Sequence, residues 1–184
     1  MFNYQPSQML PFSTDQQTRP EARAIRALQA ADDLYRRVRL QGQISSLCHR
    51  LLGRSNSLLT LEPSSASLRL SDRHYAGIQS VPIQRIRGTE NRFWDFDSKF
   101  RPLRDHSRQR WVNIARLHWM GETLPPVELI QFGEHYYVRD GHHRVSVALA
   151  RGQKHIDAFV TYWHAQPETR QSQASIADRP LVSA

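Results

Sequence analysis

Cysteine is almost missing from this chain. Cys48 stands alone among 184 residues, which excludes an internal disulfide framework and a cysteine-built zinc cluster. Lysine is nearly as scarce: Lys99 and Lys154 are the only two, so almost all of the 25 basic residues are arginine. No apolar run approaches the length that spans a bilayer. The opening MFNYQPSQMLPFSTDQQ lacks the basic start and apolar stretch of a secretory signal. These absences predict a cytoplasmic protein with no membrane contact.

The formal net charge is +8. A basic excess can bring nucleic-acid affinity through counterion release, but here arginines and acids are interspersed and no block of like charge forms. Nucleic acid is therefore weakly supported as a partner. The aromatics Trp94, Phe96, Trp111 and Trp119 would serve such a partner as stacking surfaces; the plainer reading places them in a core.

Composition divides the chain into four parts. Residues 1–18 are rich in Gln, Ser and Pro and read as loose. Residues 19–80 read as a helical extension with short strand-like segments. Pro20 and Glu21 open an amphipathic helix, Gly53 ends it, and Gly42 allows a break into two. Ile25, Leu28, Tyr35 and Val38 share a face, which Ile44, Leu47 and Leu51 continue. That face packs on the main domain; the alternatives are a homodimer or protein-partner contact, or a membrane-surface helix. Two strand-like runs around Pro63-Ser64-Ser65 follow. Residues 81–163 read as the main domain, in the order strand, loop, helix, hairpin, helix, strand. Ser107 would cap its first helix and Gly121 end it. Gly133-Glu134 turns the hairpin, the second helix covers Val145–Arg151, and the last strand ends at Trp163. Residues 164–184 have the composition of a disordered tail.

The segment YYVRDGHHRVSVALARG, 136–152, carries the chemistry. A strand enters a helix whose opening turn holds His142, His143 and Arg144, although a helix N-terminus already carries partial positive charge and unpaired N–H groups. An anion would suit that arrangement. Gly141 would let it approach the backbone, and Arg144 would offer a planar donor pair to phosphate oxygens. Alternatively the side chains fold back onto Asp140, Glu134 or Asp95. Asp140, His142 and His143, joined by His118 or His135, could be read as metal ligands, but the spacing lacks a helical zinc pair. No metal site is expected from protein groups alone; magnesium bridged to phosphate by Asp140, or by Asp95 and Asp97, suits the pattern better. Cys48 reads as a small packing residue, and Ser146 lacks the strained elbow of a nucleophile.

Residues 81–163 resemble the ParB/sulfiredoxin superfamily, especially the N-terminal domain of ParB-like partition proteins. The resemblance rests on VPIQRI as the opening strand, NRFWDFD in the place of a Pro-Arg loop, NIARLHWMGETLPPVELI as a helix-Gly-x-x-x-Pro-strand run, and YYVRDGHHRVSVALARGQKHIDAFV as the signature box. It implies an α/β (α+β) domain with a mixed sheet and a phosphate-facing helix N-terminus. It also implies nucleotide binding, with CTP or ATP and magnesium as the cofactor and nucleotide hydrolysis or phosphoryl transfer as the class of any chemistry. Gly141, His143 and Arg144 match the family's turn, and Arg92 sits at its loop arginine. His142 stands where sulfiredoxins have cysteine and partition proteins glutamate, so neither activity carries over directly. No helix-turn-helix follows the box. A non-catalytic nucleic-acid-binding or regulatory scaffold protein on the same fold is the alternative.

Overall fold

The computed structural model describes residues 15–61, 68–91 and 94–167. Residues 1–14, expected to be loose, the expected turn at Pro63-Ser64-Ser65, Arg92, and residues 168–184, expected to be a disordered tail, lie outside the described residues. The elements are α1 (Asp15–Leu51), β1 (Leu59–Thr60), β2 (Leu68–Pro82), β3 (Ile86–Thr89), α2 (Arg108–Met120), β4 (Val127–Phe132), β5 (His135–Asp140), α3 (His142–Ala150) and β6 (His155–Pro167). Six strands form one mixed sheet in the order β1-β3-β5-β4-β6-β2. β1 runs parallel to β3, β3 to β5 and β4 to β6, while β4–β5 and β2–β6 are antiparallel. The expected α/β class with a mixed sheet is what the chain adopts.

Strand alternation sends successive side chains to opposite faces. Leu129, Tyr136 and Val138 enter the main core with Val145, Val147 and Ala148 of α3 and Trp111, Val112 and Ala115 of α2. Their neighbours Ile130 and Tyr137 join Leu61, Phe132 and Trp163 in a smaller cluster. Trp111 is fully buried and its indole N–H donates to Ser146 Oγ at 2.8 Å, which ties α2 to α3.

α1 is one helix. It begins at Asp15 rather than at Pro20, which lies inside it. It does not break at Gly42, because a Cβ there would stand 3.1 Å from Arg101 Cβ and 3.4 Å from Leu103 Cδ2. That glycine is a packing notch across which residues 101–103 run. The buried face is Ala27, Ala31, Tyr35 and Val38, whereas Ile25, Leu28, Ile44, Leu47 and Leu51 are exposed. Small residues let α1 lie close on α2, and Tyr35 meets the Trp111 ring edge-on at 5.4 Å. Ala31 and Tyr35 thus share the core of the segment 81–163. β2 crosses the division drawn at residue 80 and pairs along its length with β6, which runs past Trp163 to Pro167.

Two helix ends differ from expectation. Ser107 occupies the cap position of α2, but its backbone is already helical (φ −92°, ψ −1°) and its hydroxyl makes no capping bond. Caps need an extended backbone to present the side chain to the first turn. α3 starts at His142, one turn earlier than Val145. Gly121, Gly133 and Gly152 take positive φ at the expected helix ends and hairpin turn.

A candidate anion site at the start of α3

β5 delivers Asp140 to the sheet end, and Gly141 turns the chain into α3 with φ 96°. That angle favours glycine. The missing Cβ serves packing: it would fall 2.6 Å from Val127 Cγ1 and 3.1 Å from Arg144 Nε.

Successive helical residues point about 100° apart, and the three basic residues of the first turn therefore diverge. His142 is buried, with Nε2 2.8 Å from Thr89 Oγ1. Thr89 has a single hydroxyl proton; given to the Val138 carbonyl at 3.2 Å, it leaves the oxygen to accept Nε2–H of His142. Burial, and then the neighbouring His143, lower the pKa of His142 to about 4. His143 packs edge-on to Phe96, ring centres 5.2 Å apart. Its pKa also falls to about 4, first through burial and then through the nearby Arg110 guanidinium. Its Nε2 is buried and has no hydrogen-bond partner. Arg144 turns the other way, donating to the Pro125 and Pro126 carbonyls at 2.7 Å and pairing with Asp140 at 2.6 Å.

The cationic turn read from the sequence is therefore largely neutral. Both histidines are uncharged at neutral pH, because burial disfavours the charged form. Arg144 folds back onto Asp140, whose charge also favours the protonated form of His143. The first turn of α3 has no side-chain cap and no acidic residue within it, so the turn itself holds nothing that offsets its partial positive charge.

Asp95 faces this turn. Its carboxylate accepts from His106 Nε2 at 2.9 Å, and its charge favours the protonated forms of both His142 and His143. Asp97 does not face it. The Asp97 carboxylate is wholly enclosed by its own loop, where Oδ1 accepts the Lys99 and Arg101 N–H groups at 2.9 and 2.8 Å. Magnesium held by Asp95 and Asp97 together does not fit this geometry. Among the described residues no group of three or more His, Cys, Asp or Glu side chains is placed to hold a metal ion, so neither His118 nor His135 completes one.

Sequence reasoning missed Thr89, His106 and Arg110. Arg110 sits in the opening turn of α2, a cationic helix start of the same kind as that of α3, and that parallel was legible. Nothing in one sequence pairs Thr89 with a histidine 53 positions away. His106 and Arg110 border a cleft of about 1330 Å³ between α1 and α2, which Asp32, Asp33, Gln109 and Asn113 also line. Arg144 lines a separate hollow of about 240 Å³ with His118, Glu122 and Asp157. Ser146 is buried against Trp111 and Cys48 is exposed, against its reading as a packing residue. Phe96 and Trp111 lie in the core, Trp94 is exposed, and Arg151 covers the Trp119 ring at 4.4 Å. Among the described residues no helix is long and apolar enough to cross a membrane.

No protein-family model and no curated protein sequence matches this chain. Among solved structures it is similar to a sulfiredoxin from Arabidopsis thaliana, at 18% identity over 45% of this chain and 82% of that one, with a TM-score of 0.32. That likeness is too distant to bear on the chemistry of the site.

Proposed function

We propose that this chain binds a phosphate compound, a nucleoside triphosphate such as CTP or ATP with magnesium, where the start of α3 faces Asp95, His106 and Arg110. One observation carries the reading. The uncapped first turn of α3 stands beside a buried His143 nitrogen that lacks a partner, with the Arg110 guanidinium close enough to depress that histidine's pKa. A phosphate would give each of these donors an acceptor, and backbone N–H groups at a helix start favour anions. Arg110 and His106 also border the α1–α2 cleft, whose volume exceeds the roughly 300–1,000 Å³ of a ligand pocket. Base and sugar would lie there.

Asp95 is the carboxylate suited to meet a magnesium ion that phosphates also hold, because such ions commonly take only one or two protein carboxylates. When bound, that ion would neutralise phosphate charge. Arg144 would join the phosphates only by exchanging Asp140 for them. A reaction, hydrolysis or phosphoryl transfer, would need a hydroxyl or water positioned in line, and Ser146 is engaged elsewhere.

Isothermal titration with CTP, ATP, GTP and ADP, each with magnesium, tests this. Millimolar or tighter binding to at least one is expected, weakened at least tenfold in Arg110→Ala and in His143→Ala. A bound phosphate raises the proton affinity of His143. Binding should thus take up protons and tighten as pH falls below neutrality, seen as a dependence of the measured heat on buffer ionisation. Silence with all four nucleotides, or an Arg110→Ala protein that titrates like the parent, overturns the proposal.

A further inference from the structure

The second half of α1 presents an apolar face that is exposed among the described residues. Leu40, Ile44, Leu47 and Leu51 are each more than half exposed. Their spacing of four, three and four residues places them within an arc of about 60°, nearly opposite the buried Ala27–Val38 face. The seam covers 11 residue steps, roughly 16 Å of helix. Upstream, the same line is occupied by Gln29 and Asp33, so the apolar seam is confined to the C-terminal half.

Alternating steps of three and four apolar residues form the seam that a second helix fills with knobs into holes. A membrane-surface helix instead carries a broad apolar face with Trp, Phe or Leu across it. Here Gln43 and Arg50 flank one side of the seam, and Arg37, Cys48 and Gln41 the other.

Charge identifies the partner's chemistry. Residues 36–54 hold five arginines and no acid. Arg36 is paired with Asp32 and Arg39 with Asp105, while Arg37, Arg50 and Arg54 are exposed. A second copy of this seam would set arginine against arginine in either orientation, and like charges across a helix pair oppose association.

We infer that the Leu40–Leu51 face of α1 docks an acidic amphipathic helix of another protein, one with apolar residues at three- and four-residue spacing between glutamates or aspartates. The seam's four apolar residues are far fewer than the roughly 20–30 residues a side of a standard interface, and the expected affinity is micromolar. α1 turns its Ala27–Val38 face toward α2 and carries the seam on the other side, with Leu40 at the rim of a hollow that His106 also lines.

The test uses the full chain and two synthetic helical peptides with the same Leu/Ile seam, one flanked by glutamate and one by lysine. Fluorescence anisotropy should show micromolar binding of the glutamate peptide and at least tenfold weaker binding of the lysine peptide. Added salt should weaken the glutamate peptide's binding, and Ile44→Glu/Leu47→Glu should abolish it while leaving the thermal melt unchanged. Equal binding of both peptides, no binding of either, or a double variant that binds like the parent overturns the inference. Two further results also overturn it. One is a concentration-dependent dimer that Ile44→Glu/Leu47→Glu dissolves, which assigns the seam to a second copy. The other is sedimentation of the protein with anionic phosphatidylglycerol vesicles that the same variant prevents, which assigns it to a lipid surface. A chain lacking residues 1–14 that binds the peptide only after that deletion would assign the seam to its own N-terminus, and would likewise overturn the inference.

Discussion

Gly141 shows how one position serves the fold at the edge of a site. Its φ of 96° and the 2.6 Å approach of Val127 to the place of a Cβ act together. Gly141→Ala would add backbone strain of order 1–3 kcal/mol to a clash with a β4 side chain. We expect a loss of at least about 2 kcal/mol in urea unfolding followed by tryptophan fluorescence. Val127→Ala in the same chain should relieve the clash and not the strain, so the double variant should lose less than the sum of the two single losses. Equal stability of Gly141→Ala and the parent would show that the turn is free to shift. Arg144 illustrates the opposite case. Its sequence position suggested a phosphate clamp, yet Asp140 four residues before it and two proline carbonyls engage its guanidinium.

At the scale of elements, the loop between β3 and α2 is held by one carboxylate. Asp97 is fully buried and receives two backbone N–H groups, while Phe96 and Phe100 on either side enter the core. Buried donors left without acceptors cost about 1–3 kcal/mol each, more when the lost partner is charged. Asp97→Ala should therefore destabilise the loop strongly. Hydrogen exchange at the Lys99 and Arg101 amides should accelerate by more than tenfold, and Asp97→Asn should restore part of the protection because Oδ1 remains. Unchanged exchange would remove Asp97 from this role. α1 secures the same loop from outside: Tyr35 O–H donates to the Arg104 carbonyl at 3.2 Å, Arg39 pairs with Asp105 and Arg108 with Asp32.

For the whole molecule, the two histidines set a pH dependence. Their pKa of about 4 in the folded chain lies below the ordinary 6.5, so the unfolded chain binds more protons between those values. Stability then rises with pH through that window. The contribution is complete above about pH 6.5, is lost progressively as pH falls toward 4, and levels off below. For the buried His142 alone this amounts to ~3 kcal/mol at most. Urea midpoints measured from pH 7.5 to 4 should fall across that range, and His142→Asn should flatten the slope. A midpoint that does not change between pH 6.5 and 4.5 would mean that both rings charge freely in the folded state.

The sequence by itself determined the local pieces: the α/β class, the Gly133-Glu134 hairpin, the Gly121 and Gly152 stops, the two main-domain helices and the burial of Trp111. Each follows from chemistry carried within a few residues: periodicity, positive-φ glycines and strand alternation. Its signals failed where the outcome depends on what lies across the fold. Gly42 reads as a break until residues 101–103 are seen to need its missing Cβ. Ile44, Leu47 and Leu51 read as a packing face until the alanines of α1 are found against α2. His142, His143 and Arg144 read as one charged cluster until burial neutralises two and Asp140 takes the third. Tertiary structure decided these because charge state, exposure and pairing depend on neighbours that the chain brings together from distant positions, and no local pattern encodes those distances.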